Sequence, residues 1–306
     1  MTYSNLGFEI KALRQMRGFS QKELSKKICS QAQISKIEKG DVYPLAPTLY
    51  EIASRLGVDI NYFFERALIE RHDYVEEVYI QVREAINQQN YQKVYEIVKT
   101  EKKNPLYHHH LDFRQFIMWH AAICKYHLEL DTKNTLDLLD EALKLTHTGK
   151  FYSEREIEIL NSKGVIYLLT EEYAAAIDLY QRLLEEHERL RNEKDTTIKI
   201  RIYYNFAKAL NKNKEYHSSI KICKYGIEDC ITKKSMYLFG HLYFQLGYNY
   251  FQTGRRENAI QYFSKAYTIF DLQNEDELKK HIDQYFLKGL EGCGSRDVSP
   301  SNRQTK

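Results

Sequence analysis

A segment near the N-terminus carries polar side chains that could contact DNA. Glutamine can hydrogen-bond adenine, and lysine can hydrogen-bond guanine, at the base edges exposed in the major groove. We therefore predict base contacts from Gln31, Ala32, Gln33 and Lys36. A second set suits the phosphate backbone, although its last two members could equally face bases: Gln21, Lys22, Ser35 and Lys39.

The first of two helices needed to position these side chains begins with a capping signal. Ser20 is followed three residues later by Glu23, which is the pattern of a capping box. Leu24 and Ile28 give this helix an apolar stripe, and a break is predicted at Cys29-Ser30. The chain is therefore expected to turn there.

The second helix follows the turn directly. Ser30 can cap its free amides, and Ile34 and Ile37 repeat the apolar spacing on its inner side. Gly40 is expected to end it, because glycine enters the left-handed region without steric cost. Two short helices around a tight turn are the arrangement that reads DNA in a helix-turn-helix.

Flanking patterns extend this unit to a five-helix domain over residues 1–65. A first helix is predicted over residues 4–17, a fourth begins near Pro47 and stops at Gly57, and a short fifth follows Asp59. Residues 1–40 hold eight basic and three acidic side chains, whereas the whole chain has a net charge of only +3. Attraction to phosphate therefore belongs to this domain.

Three stretches of this domain resemble the Cro/repressor-type (XRE) helix-turn-helix family. They are SQKELSKKI, QISKIEKG and PTLYEIASRLGV, and the resemblance covers residues 6–65. The turn, ICSQAQIS, departs from the usual pattern because it lacks the glycine and is one residue shorter. The resemblance implies binding to double-stranded DNA.

The rest of the chain is predicted to be an all-α, right-handed solenoid of tetratricopeptide-like repeats. With four prolines and 13 glycines in 306 residues, helices are favoured throughout. Five degenerate repeats over residues 73–291 have anchor positions at Val82, Ile123, Gly164, Ala207 and Gly247, where mostly small residues let paired helices approach. A linker helix over 66–88 overlaps the first repeat, a helix over 275–290 caps the last, and a disordered tail occupies 292–306.

The inward face of the first helix in each pair is predicted to bind an extended peptide. An amide side chain offers one donor and one acceptor, which is what a peptide unit needs, and aromatic rings offer apolar contact. The predicted ligand residues are Asn161, Tyr204, Asn205, Lys208, His241, Phe244, Gln245 and Tyr248.

Three segments of the repeat region carry a further resemblance, QFIMW, YYNFAKAL and SMYLFGHLYFQLG. With them, the whole chain before the tail resembles the quorum-sensing regulators that bind a re-imported peptide, the Rap, NprR, PlcR, PrgX and Rgg proteins, and most of all the PlcR-like members. The resemblance implies a homodimer that binds palindromic DNA, with Asn161, Asn205 and Gln245 as peptide-contacting amides. Asn87-Gln88-Gln89 replaces a lysine-containing turn, which favours a different and less acidic peptide.

Several other classes are not supported by the sequence. No nucleophile elbow, phosphate loop or paired acid motif predicts an enzyme, and no cofactor is expected. The histidines at 108–110, 120 and 127 lack a metal-ligand spacing. Without a signal peptide or long apolar run, the chain is expected to be cytoplasmic.

Two alternatives remain open at this stage. One is a Rap-like protein-interaction module that inhibits a response regulator, and the other is a redox-responsive transcription factor of the same architecture. The five cysteines are scattered and odd in number, which indicates reduced thiols, and Cys124 and Cys223 are expected to fill repeat interiors.

Overall fold

A computed structural model describes residues 4–68, 72–191 and 193–290. Those residues form α-helices and loops with no strand among them, and the chain divides into two compact units, Met1–His120 and Ala121–Lys306. None of the described helices is long and apolar enough to cross a membrane. The all-α prediction, with a helix-turn-helix domain followed by helical repeats, is confirmed.

The first unit begins with five helices that pack around one apolar core. Ile10, Leu24, Ile34, Ile52 and Phe63 each have 0% of their surface exposed within this core. Three further helices follow, and a ninth crosses the boundary between the units. The helices are α1 (Ser4–Met16), α2 (Gln21–Ser25), α3 (Gln31–Glu38), α4 (Ala46–Leu56), α5 (Ile60–Leu68), α6 (His72–Asn87), α7 (Tyr91–Glu101), α8 (Pro105–His109) and α9 (Leu111–Glu129).

The predicted caps of the two central helices are confirmed. The Glu23 N–H donates to Ser20 Oγ at 3.1 Å, and the Ser20 N–H donates to Glu23 Oε2 at 2.8 Å, which completes the capping box of α2. Ser30 Oγ accepts from the Gln33 N–H at 3.1 Å at the start of α3. Gly40, after the end of α3, has a φ of +79°.

One boundary prediction was wrong, because α2 ends earlier than its apolar stripe suggested. The helix stops at Ser25, and Ile28 reaches the core from the turn. Lys27 takes a left-handed φ of 63° there, and Arg55 Nη1 donates to the Leu24 carbonyl oxygen at 3.1 Å. Because Arg55 supplies a hydrogen-bond donor to this carbonyl oxygen, α2 does not need a further turn to supply a backbone N–H to it.

The second unit is a series of antiparallel helix pairs. Each helix packs against its successor from α10 to α17. The last helix begins within one residue of the predicted capping helix. The helices are α10 (Thr132–Lys144), α11 (Glu154–Leu169), α12 (Tyr173–Glu188), α13 (Thr197–Lys212), α14 (Tyr216–Thr232), α15 (Phe239–Gln252), α16 (Arg256–Leu272) and α17 (Asp276–Leu290).

Small residues allow close packing within these pairs, as the repeat pattern predicted. A Cβ at Gly164 would lie 2.5 Å from Cζ of Tyr180, and a Cβ at Gly247 would lie 2.8 Å from Cδ1 of Phe263. Both aromatic rings are buried. These positions therefore set the distance between the two helices of a pair.

The domain limits remain predictions. Helix α6 lies within the predicted linker at 66–88. The tail predicted over 292–306 lies outside the described residues.

Candidate DNA-reading helix and ligand face

Helix α3 turns its predicted base-reading residues away from the core. Ile34 and Ile37, on the side of α3 that faces the core, are 0% and 1% exposed. Gln31, Ala32 and Lys36 are exposed on the other side, and Gln33 is half-buried. The helix therefore presents donors and acceptors on a surface fixed by its apolar side.

The predicted phosphate-contacting residues fall into two groups. Lys22 and Lys39 are exposed, and Ser35 is half-buried beside the base-reading residues. Gln21 is different because both ends of its carboxamide are used. Its Nε2 donates to Glu38 Oε2 at 2.8 Å, and its Oε1 accepts from Gln31 Nε2 at 2.7 Å.

A buried ion pair stands behind this glutamine pair. Arg14 donates through Nε to Glu38 Oε1 at 2.6 Å and through Nη2 to Glu38 Oε2 at 3.0 Å. Hydrogen bonding to Glu38 raises the pKa of Arg14. The chain of contacts from Arg14 through Glu38 and Gln21 to Gln31 links the core to the exposed end of α3.

Sequence reasoning missed three of these framework residues. Arg14 and Glu38 were counted only as charges, and Gly7 was not singled out. A Cβ at Gly7 would lie 2.0 Å from the Ile37 carbonyl oxygen, so only glycine allows this approach of α1 to α3. Glu38 does stand one residue after the buried Ile37, and that position was an available signal for a buried carboxylate.

In the second unit, two of the predicted ligand amides are hydrogen-bonded to each other. Asn205 Nδ2 on α13 donates to Asn161 Oδ1 on α11 at 3.0 Å. Both residues are buried, with 8% and 6% exposed. Asn161 Nδ2 can still donate a hydrogen bond and Asn205 Oδ1 can still accept one. A peptide unit has one C=O and one N–H, so these two atoms can bond both of its polar groups.

Neighbouring predicted residues lie on the facing surfaces of α13 and α15. The rings of Tyr204 and His241 meet edge to face, with centroids 5.8 Å apart. Burial raises the pKa of Tyr204 to about 12, and burial followed by the charge of Lys208 lowers the pKa of His241. We name the surface formed by Asn161, Asn205, Lys208, His241 and Gln245 the amide face.

The remaining two predicted residues contact the last helix. Phe244 lies 5.8 Å from the ring of Tyr285 on α17, and Tyr248 lies 5.7 Å from the same ring. Burial, followed by Tyr248, raises the pKa of Tyr285 to about 12. Sequence reasoning treated α17 only as a cap and so missed Tyr285.

A second polar network lies deeper between the repeats. Asn249 is 0% exposed, accepts from Asn211 Nδ2 at 2.6 Å and donates to Ser219 Oγ at 2.7 Å. Ser219 donates in turn to the Ala207 carbonyl oxygen at 2.7 Å. This network ties α13, α14 and α15 together, and it was not predicted.

The buried thiols and the histidines offer little chemistry. Burial raises the pKa of Cys223 to about 12 and that of Cys230 to about 11, so the reactive thiolate is scarce at neutral pH. Within the described ranges, no group of three or more histidine, cysteine or acidic side chains is placed to hold a metal ion. Cys293 lies outside those ranges.

A helix-turn-helix joined in one chain to stacked helical repeats defines a class of DNA-binding transcription regulators rather than enzymes. Residues 10–63 match a helix-turn-helix family, and residues 80–284 match the RNPP family C-terminal domain. The chain belongs to the RNPP family, and the resemblance inferred from its sequence is confirmed. The Rap-like and redox alternatives are not favoured.

Solved structures agree with this assignment. Bacillus thuringiensis PlcR in complex with the peptide PapR7 and DNA is 30% identical, with a TM-score of 0.83 over 91% of this chain and 99% of PlcR. PlcR in its apo form is 28% identical, with a TM-score of 0.66 over 92% and 98%. The Streptococcus dysgalactiae SHP pheromone receptor Rgg2, at 17% identity and a TM-score of 0.61 over 92% and 99%, shares the fold. A comparison with curated proteins found no match.

Proposed function

We propose that this transcription regulator is controlled by a short signalling peptide that binds at the amide face. The hydrogen-bonded pair of Asn161 and Asn205 carries the proposal, because two buried carboxamides with one donor and one acceptor left over match a peptide backbone. The PlcR relative was solved with both a peptide and DNA, which supports the same two ligands here.

The DNA contacts follow from the exposed side of α3. Gln31, Ala32, Gln33 and Lys36 read bases, while Lys22, Ser35 and Lys39 contact phosphates. The carboxamide of Gln21 accepts a hydrogen bond from Gln31. Phosphate is therefore contacted at this residue by the free backbone N–H groups of the first turn of α2, which begins at Gln21. The protein acts in the cytoplasm as a homodimer on palindromic sites, with half-sites separated by a whole number of DNA turns.

Peptide control requires that the peptide bind the DNA-competent state more tightly than the other state. Such coupling is typically about 1–3 kcal/mol. The test selects bound genomic DNA fragments with the full-length chain, and then measures operator affinity before and after adding peptides extracted from culture medium. We expect selection of a palindromic sequence and an affinity change of about 5- to 150-fold. An unchanged affinity in the presence of a bound peptide would refute peptide control.

A further inference from the structure

Two hydrogen-bond donors on the amide face have no acceptor. Gln245 is 8% exposed, and its Nε2 is buried without a hydrogen-bond partner among the described residues. Lys208 is half-buried and makes no ion pair or hydrogen bond with any residue that the structure describes. Leaving the buried Gln245 Nε2 without an acceptor costs about 1–3 kcal/mol.

The helix register brings these two donors together. Tyr204 contacts His241, and Asn211 Nδ2 donates to Asn249 Oδ1 at 2.6 Å further along the same two helices. Lys208 lies one turn after Tyr204, and Gln245 lies one turn after His241. They therefore occupy facing positions between two observed contacts of α13 and α15.

The surroundings of Lys208 disfavour its charged form. Burial lowers the pKa of Lys208, and the charge of Lys212 on the same helix lowers it further. His241 faces it from α15, and Lys208 in turn lowers the pKa of that imidazole. Among the described residues, no carboxylate raises the pKa of Lys208 against burial and Lys212. A negatively charged acceptor beside Lys208 and Gln245 would therefore stabilise the charged lysine and bond both donors.

We propose that the peptide bound at the amide face carries a carboxylate, which accepts hydrogen bonds from Lys208 Nζ and Gln245 Nε2. This inference rests on the proposed function and specifies its ligand. Asn205 precedes Lys208 by one helical turn, so the carboxylate binds beside the peptide unit that Asn161 and Asn205 contact. The less acidic peptide expected from Asn87-Gln88-Gln89 still contains at least this one negative group.

The carboxylate has two possible sources, a free C-terminus or an acidic side chain, and the test separates them. The full-length chain is incubated with a synthetic library of short random peptides prepared once as C-terminal acids and once as C-terminal amides. Retained peptides are identified by mass spectrometry. Selection of acids over amides indicates the terminus, and enrichment of Asp or Glu in the amide library indicates a side chain.

Substitutions at Lys208 supply the decisive comparison. Lys208→Met is expected to weaken binding of the retained peptides about 10-fold or more, equivalent to about 1.4 kcal/mol. Lys208→Glu is expected to reverse the selection toward peptides with Lys or Arg. Lys224→Met removes an exposed lysine from α14 and is expected to leave the selection unchanged. Circular dichroism checks that each variant is folded.

The outcomes distinguish this inference from the proposal on which it rests. If the wild-type chain retains peptides without any carboxylate preference, or if Lys208→Met and Lys208→Glu retain the same peptides as wild type, the carboxylate site is wrong and the peptide site survives. If the wild-type chain retains no peptide from either library, both are wrong.

Discussion

Asn205 Nδ2 donates a hydrogen bond to Asn161 Oδ1 across 3.0 Å, and so joins two helices that belong to different repeats. Asn161 is also held from its own repeat, since Tyr180 Oη donates to its backbone carbonyl oxygen at 3.3 Å. Both carboxamides are therefore oriented before any ligand arrives. A ligand that meets an ordered site loses less free energy to ordering the protein.

Asn205→Ala is expected to impair peptide binding while leaving DNA binding without peptide intact. The substitution removes the donor to Asn161 and one of the two amides offered to a peptide unit, which corresponds to a loss of about 1–3 kcal/mol, or roughly 5- to 150-fold. Peptide capture and operator affinity are measured on the same full-length variant. Gln261→Ala removes an exposed carboxamide from α16 as the control. Normal capture by Asn205→Ala would contradict the assignment.

Asn249→Ala is expected to act on stability rather than on peptide binding. It leaves the half-buried Asn211 Nδ2 and the buried Ser219 Oγ without the side chain that bonds them both. The free energy of unfolding of the second unit should therefore fall by about 1–3 kcal/mol. Urea titration followed by circular dichroism measures this change. A variant as stable as wild type would show that water replaces the amide readily.

Glu38→Gln is expected to destabilise the helix-turn-helix domain strongly. Arg14 has 10% of its side chain exposed and would lose its bidentate partner, and breaking such a buried pair costs about 3–5 kcal/mol. Glu51→Gln changes an exposed carboxylate on α4 and is expected to cost little. Thermal unfolding and DNA affinity are measured for both variants. Equal stability of the two variants would count against a structural role for the Arg14–Glu38 pair.

Substitutions on α3 and α2 should separate base reading from phosphate contact. Gln33→Ala and Lys36→Ala are expected to relax sequence preference, at about 1–3 kcal/mol for each lost base contact. Lys22→Ala is expected to weaken binding to all sequences and to reduce the slope of affinity against salt by about one ion. Binding is measured over a salt series on selected and scrambled DNA. A loss of preference in Lys22→Ala with an unchanged slope would overturn this division.

Acidification should destabilise the second unit. Burial lowers the pKa of His127, His187 and His241 below the ordinary value of 6.5. The charge of Lys208 lowers the pKa of His241 further, whereas the charge of Glu193 offsets part of the shift at His187. The unfolded chain then binds protons that the folded chain excludes, so stability is fully present above about pH 6.5 and is lost as the pH falls below it.

Urea unfolding at neutral and mildly acidic pH measures this loss. His127→Gln, which removes a group whose pKa is lowered by burial, is expected to reduce the pH dependence, whereas His109→Gln at an exposed position is not. The same slope against pH in all three proteins would refute the prediction.

Much of the fold follows from short-range signals in the chain. Ser20 with Glu23, and Ser30 with the amides that follow it, set helix starts because their contacts span only three residues. Gly164 and Gly247 mark paired helices because a small residue is needed wherever backbones approach closely. The exposed side of α3 follows from the spacing of Ile34 and Ile37.

The partners of the polar residues were decided only by the tertiary structure. Glu38 meets Arg14 and Gln21, Asn249 meets Ser219, and Tyr285 packs against Phe244, each across a separation that no local pattern spans. The early end of α2 has the same origin, since Arg55 on α4 donates to the Leu24 carbonyl oxygen. The sequence by itself determined which segments are helices and which sides of them are apolar. Only packing decided which buried donors found acceptors, and it left Gln245 Nε2 without one, because hydrogen-bond satisfaction depends on distances between helices rather than on residue type.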